Sequence, residues 1–128
     1  MKGFTLIELM IVMALMSVLA TLGLSSYKVY MARVHRAEVQ QFMLSVANRQ
    51  ETYHLDTRRY GSLDDLRLSV PAAVAAYYRL ELEPDNASQP PGYTLKAIPQ
   101  AVIQTEPVLE LDHLGHATPA ELWQGVQP

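Results

Sequence analysis

A chain of 128 residues, about half of them apolar and with a formal net charge of −3, has room for one ordinary domain and an N-terminal anchor. No cysteine is present, which excludes disulfides, thiol catalysis and a lipidated cysteine. The mildly acidic balance gives no general pull toward nucleic acid.

The N-terminal segment holds the sharpest signal. Met1-Lys2-Gly3-Phe4-Thr5-Leu6-Ile7-Glu8-Leu9 places one carboxylate, Glu8, at the edge of sixteen uncharged residues, Leu9 to Leu24. Phe4 to Leu24 is 21 residues, against about 20 needed to cross bilayer hydrocarbon as a helix. A charge in that hydrocarbon costs roughly 2.5–3.5 kcal/mol on insertion scales. Glu8 therefore needs a partner, and the nearby positive groups are Lys2 and whatever amine begins the mature chain. A cleavable secretory signal fits poorly, although a weak cleavage candidate lies around Leu19-Ala20-Thr21. Its apolar run should be about 7–15 residues, and Glu8 stands where that run should begin. A plain membrane anchor fits the length and leaves Glu8 unexplained.

From Tyr27 to Tyr53 the pattern is helical. Tyr27, Tyr30, Met31, Val34, Val39, Phe42, Val46 and Tyr53 recur mainly at three- and four-residue steps, with Lys28, Arg33, Arg36, Glu38 and Arg49 between them. No proline interrupts residues 1 to 70. One helix of about 50 residues, about 75 Å long, is predicted. Its second half is expected to lay its apolar stripe on a sheet. Residues 54 to 76 form a connection, with Arg58-Arg59-Tyr60-Gly61 as a break. Ser62-Leu63-Asp64-Asp65 reads as the cap of a short helix through Leu68, stopped before Pro71.

Three strand-like runs follow: Tyr77 to Glu83, Tyr93 to Ile98 and Val108 to His113. In the first, Tyr78, Leu80 and Leu82 face one way and Arg79, Glu81 and Glu83 the other, as in a sheet buried on one face. Asp85 to Gly92 and Pro99 to Pro107 supply the turns. Thr118-Pro119-Ala120-Glu121 reads as a capping box before a helical turn, with Trp123 packing back. A long helix followed by an antiparallel meander is an α+β fold.

Gly3-Phe4-Thr5-Leu6-Ile7-Glu8-Leu9-Met10-Ile11-Val12 resembles the processing and assembly signature of type IV pilins and pseudopilins. The resemblance continues through Ala32-Arg33, Arg36-Ala37-Glu38 and Arg49-Gln50-Glu51-Thr52-Tyr53, and more loosely through Pro91-Gly92-Tyr93-Thr94-Leu95 and Leu109-Glu110-Leu111-Asp112. It implies a pilin fold, with a long N-terminal helix packed on a small antiparallel sheet. It implies a leader over residues 1–3, a membrane or filament-core half over 4–27 and a head over 28–128. A prepilin peptidase would cut between Gly3 and Phe4, Phe4 would be N-methylated, and Glu8 would pair with the Phe4 ammonium of a neighbouring subunit. The implied partners are other pilin subunits, the peptidase, an inner-membrane assembly platform and, before assembly, the membrane itself. The expected location is a single pass of the inner membrane with a periplasmic head, then the pilus at the cell surface. The reading is a minor pilin, with a type II secretion pseudopilin as the alternative. The loop from Gln100 to Pro107 lacks the clustered carboxylates of a calcium site, which favours the pilus. Two features depart from the family. Ser17 and Ser25 stand about where relatives carry glycine and proline. Val108 and Leu122 stand about where relatives carry a cysteine pair.

Other constellations are weaker. His113 and His116, with Asp112 adjacent, could converge on a metal, but no further ligand is evident, so no metal, cofactor or enzyme activity is expected. Asn86-Ala87-Ser88 matches a glycosylation sequon, a frequent chance match. Some minor pilins capture DNA for uptake. Arg58, Arg59 and Tyr60 form the accessible basic-aromatic cluster, yet a phosphate-neutralising stripe generally needs more. A DNA-uptake role is thus an alternative, with nucleic acid a permitted rather than an expected partner.

Overall fold

The structure, a computed structural model, describes residues 3–100, 103 and 105–126. Helix α1 (Leu6–Thr57) runs 52 residues and is continuous through Gly23. The chain divides into two compact units, one ending at Val34 and one starting at His35.

In the first unit every described residue from Gly3 to Leu24 is exposed, its apolar side chains included. This part of α1 is long and apolar enough to cross a membrane. Its hydroxyls are satisfied inside the helix. Ser17 donates to the Met13 carbonyl (2.8 Å) and Thr21 to that of Val18 (2.7 Å), which removes the cost of an unpaired polar group in hydrocarbon.

In the second unit the helix buries Val39, Met43 and Val46 against Leu95, Ala97, Leu109 and Leu111. The expected stripe therefore becomes core only from Val39 onward, and Tyr27 and Tyr30 are exposed. The sheet is antiparallel, in the order β1 (Tyr78–Asp85), β2 (Gly92–Pro99), β3 (Leu109–Asp112) and β4 (Ala117–Thr118). Leu82 pairs with Leu95, Thr94 with Asp112 and Leu111 with Ala117. The α+β architecture, a long helix on a small antiparallel sheet, is the expected one.

Three local expectations change. Strand β4 is too short to leave an alternation pattern. Residues 62–68 form one closed turn and not a helix, while the short helix α2 (Ala72–Ala75) lies after Pro71. The terminal turn, Ala120–Trp123, is a 3-10 helix with no side-chain cap, because Thr118 is taken up in β4. Trp123 does pack back, buried, with its indole N–H on the Thr118 carbonyl (3.4 Å).

Candidate functional site

Two regions carry the candidate residues. At the start of α1, Thr5 and Glu8 form a capping box. The Thr5 amide and hydroxyl donate to Glu8 Oε2 (3.1 and 3.2 Å), and the Glu8 amide donates to Thr5 Oγ1 (3.3 Å). Glu8 therefore has hydrogen-bond partners within its own segment, which the sequence reading missed. Both donors are neutral, so among the described residues no opposite charge meets the carboxylate. Gly3, Phe4, Thr5 and Glu8 border one shallow recess, and Phe4 is almost fully exposed.

The second region is the connection after α1. Arg58 follows the last helical residue, and its amide donates to the His54 carbonyl (2.8 Å). Its φ is +60°, the left-handed conformation that closes a helix and is normally given to glycine. The turn at 62–68 repeats the device. Ser62 and Asp65 cap each other: the Ser62 amide and hydroxyl donate to Asp65 Oδ2 (2.9 and 2.8 Å). The Leu68 amide then reaches the Leu63 carbonyl (3.1 Å) and the Arg67 amide that of Asp64 (3.0 Å), a Schellman closure with Arg67 at φ +55°. A left-handed residue with a Cβ costs roughly 1–2 kcal/mol. Both positions that favour glycine carry arginine.

Arg58, Arg59 and Arg67 are exposed, and among the described residues none forms an ion pair. The Asp65 carboxyl is held below the usual range, first by the Ser62 hydrogen bonds and then by the charge of Arg59. Of the other basic residues from His35 onward, Arg36 pairs with Glu106 (2.7 Å), Arg79 with Glu81 (3.0 Å) and Lys96 with Glu110 (3.8 Å), while Arg49, exposed on α1, forms no ion pair among the described residues.

The backbone behind these arginines is held by side chains. Thr57 Oγ1 accepts from the Arg59 amide (3.4 Å), and its one proton is shared between the carbonyls of Tyr53 (2.8 Å) and Arg59 (3.1 Å). Asn86, in the β1–β2 turn, accepts from the Tyr60 amide and donates to the Tyr60 carbonyl, both at 2.9 Å. Gln50, fully buried on α1, accepts from the Gly61 amide (3.0 Å) and donates to its carbonyl (2.6 Å). A Cβ on Gly61 would lie 2.9 Å from that of Asp65, so the turn leaves room for glycine alone.

Tyr60 is buried, against the expectation of an accessible aromatic. It stacks on His54 (4.4 Å) and meets the Tyr93 ring edge-on (5.0 Å). Burial, with the Glu51 charge second, pushes both phenols upward from their ordinary value. The two histidines do not converge on a metal. His113 sits against Gly92, where an added Cβ would come within 2.6 Å of its ring, whereas exposed His116 pairs with Asp112 (3.0 Å). Among the described residues no cluster of three potential ligands occurs.

Comparison with known families adds the decisive observation. Residues 25–106 match the family described as "Type IV minor pilin ComP, DNA uptake sequence receptor". The chain belongs to the type IV minor pilin ComP family. Residues 1–24 match the prokaryotic N-terminal methylation motif. No curated protein and no solved structure matches the chain. The minor-pilin reading of the residues stands, and with it assembly alongside other pilins. The family description also names DNA, a partner that the residue pattern alone ranks low. Arg67 and Gln50 escaped the sequence reading as members of a site. A glutamine in step with Val39, Met43 and Val46 was the available signal for one, and an arginine just past a Ser62–Asp65 cap for the other.

Proposed function

We propose that this minor pilin is cut after Gly3, methylated at Phe4 and assembled through Glu8, and that its head binds DNA through Arg58, Arg59 and Arg67. Residues 1–3 are the leader, 4–27 the membrane and filament-core half, and 28–128 a head held in the periplasm and then exposed on the pilus. The role is structural, with no catalytic step, cofactor or metal in it.

The observation that carries the DNA reading is the pair of left-handed arginines. The closures hold both residues in a strained conformation. Strained backbone clusters at ligand-binding positions, and exposed charge with no ion-pair partner among the described residues is what a phosphate backbone takes. The remainder of the head argues for a local contact. From His35 onward, outside residues 56–67, four Lys and Arg face nine Asp and Glu, so DNA approaching elsewhere meets net negative charge. The family's description, which names a DNA receptor, supports the same partner.

The test is binding of labelled duplex DNA to the full chain in detergent micelles across a salt series. Each phosphate contact contributes about 0.9 to the slope of log K against log salt. Replacing Arg58, Arg59 and Arg67 together by alanine should lower the slope by about 2–3 and weaken binding at least about tenfold. Unchanged binding refutes the assignment. The processing half is read from the mature N-terminus. Methyl-Phe4 is expected, and a chain beginning near Thr21 would refute it.

A further inference from the structure

We propose that Asn86 is a positioning residue for DNA, holding the arginine segment in its binding geometry from across the fold together with Gln50. This rests on the DNA-binding reading above.

Among the described residues Arg59, Tyr60 and Gly61 have no backbone hydrogen-bond partner, and at buried Tyr60 and Gly61 every N–H and C=O needs one. One side chain serves each residue in turn. Thr57 takes the amide of Arg59, Asn86 both backbone groups of Tyr60 and Gln50 both of Gly61. The three side chains come from three places: the last turn of α1, the β1–β2 turn and the buried face of α1. Asn86 is itself held. Asp85 Oδ1 accepts from the amides of Ala87 (3.1 Å) and Ser88 (3.2 Å), which tightens the turn around it. Its carboxamide is hydrogen-bonded through both Oδ1 and Nδ2, which gives the Asn86-Ala87-Ser88 sequence a structural meaning.

Fixing the backbone of a residue costs roughly 1–2 kcal/mol of conformational entropy. A loop already fixed in the free protein does not incur that cost on binding, and affinity rises accordingly. The side-chain clamps order the segment between Arg58 and Arg67 before DNA arrives. Asn86 is the member that can be removed with least harm to the core, since it is exposed while Gln50 is fully buried.

The experiment compares the wild-type full chain, N86A and the triple arginine variant in detergent micelles, using a fluorescein-labelled 24-base-pair duplex over a salt series and thermal unfolding of each protein. For N86A the expected result is about tenfold weaker binding with the wild-type salt slope, because the phosphate contacts remain and only the ordering is lost. Loss of fold alone would lower the active fraction without changing the affinity of what remains, so titrations report active fraction and Kd separately. If N86A binds with wild-type Kd while the arginine variant is weakened, the positioning role is overturned and the DNA reading stands. If N86A lowers the salt slope as the arginine variant does, Asn86 acts as part of the contact and the positioning role is also overturned. If the arginine variant binds as wild type, the DNA reading itself falls.

Discussion

Helix α1 carries a polar exception in each of its halves, and the two are resolved in different ways. Glu8 stands at the edge of an apolar run that is exposed among the described residues, and Thr5 gives it hydrogen bonds but no opposite charge. Gln50 stands on the apolar face that the sheet covers, and both ends of its amide are met by Gly61. The first half leaves its account open to another molecule. The second closes it inside the fold. A polar residue among apolar ones is thus a sign of assembly where its charge has no partner, and a sign of architecture where its hydrogen bonds are complete.

The contrast can be broken most sharply at Glu8. Glu8→Val should leave head stability unchanged and reduce incorporation into filaments by at least about a hundredfold, given the roughly 3–5 kcal/mol lost when one member of a buried ion pair is removed. Quantifying the subunit in sheared pili tests this, and normal incorporation would sink the pairing with Phe4. At Gln50 the reverse holds. Gln50→Leu strands the Gly61 amide and carbonyl, and should destabilise the head by about 1–3 kcal/mol in thermal unfolding while leaving membrane insertion intact.

A smaller effect appears at high pH. Burial pushes the Tyr78 phenol up to about 12. The neutral form is the one the fold favours, so its contribution is complete below pH 10 and is lost as pH rises from 10 through about 12. Stability of the head should fall across that window, and Tyr78→Phe should make the fall shallower, with Tyr60 and Tyr93 supplying the rest. The smallest effect is at the turn. Arg67→Gly relieves the left-handed strain and should stabilise the head by up to about 1 kcal/mol while weakening DNA. A variant that loses stability would show that the arginine is there for the fold.

Much of the plan was legible from periodicity and composition. The long helix, the three main strands and the Gly3, Phe4 and Glu8 signature each leave a pattern in consecutive residues. Strand β4 has two residues, too few for alternation to register. The helix expected through Leu68 carried a genuine cap at Ser62 and Asp65, but its stop was an arginine with positive φ, a conformation that residue identity does not announce. The clamps on Tyr60 and Gly61 join Asn86 and Gln50 to a loop 26 and 11 residues away, and no local pattern reports such pairings. The histidines looked like ligands because they are close in sequence. The turn at Gly115, with φ +80°, sends them to different neighbours.

Chemistry sets one further property of the loop. The side chains that hold Arg59, Tyr60 and Gly61 are a hydroxyl and two carboxamides, groups that do not ionise in the working range of a protein. These bonds themselves do not titrate near neutral pH and are barely screened by salt, while the arginines in front of them respond fully to ionic strength. Frame and charge answer to separate variables, so a salt titration of this pilin reads the ligand contacts without distorting the scaffold that presents them.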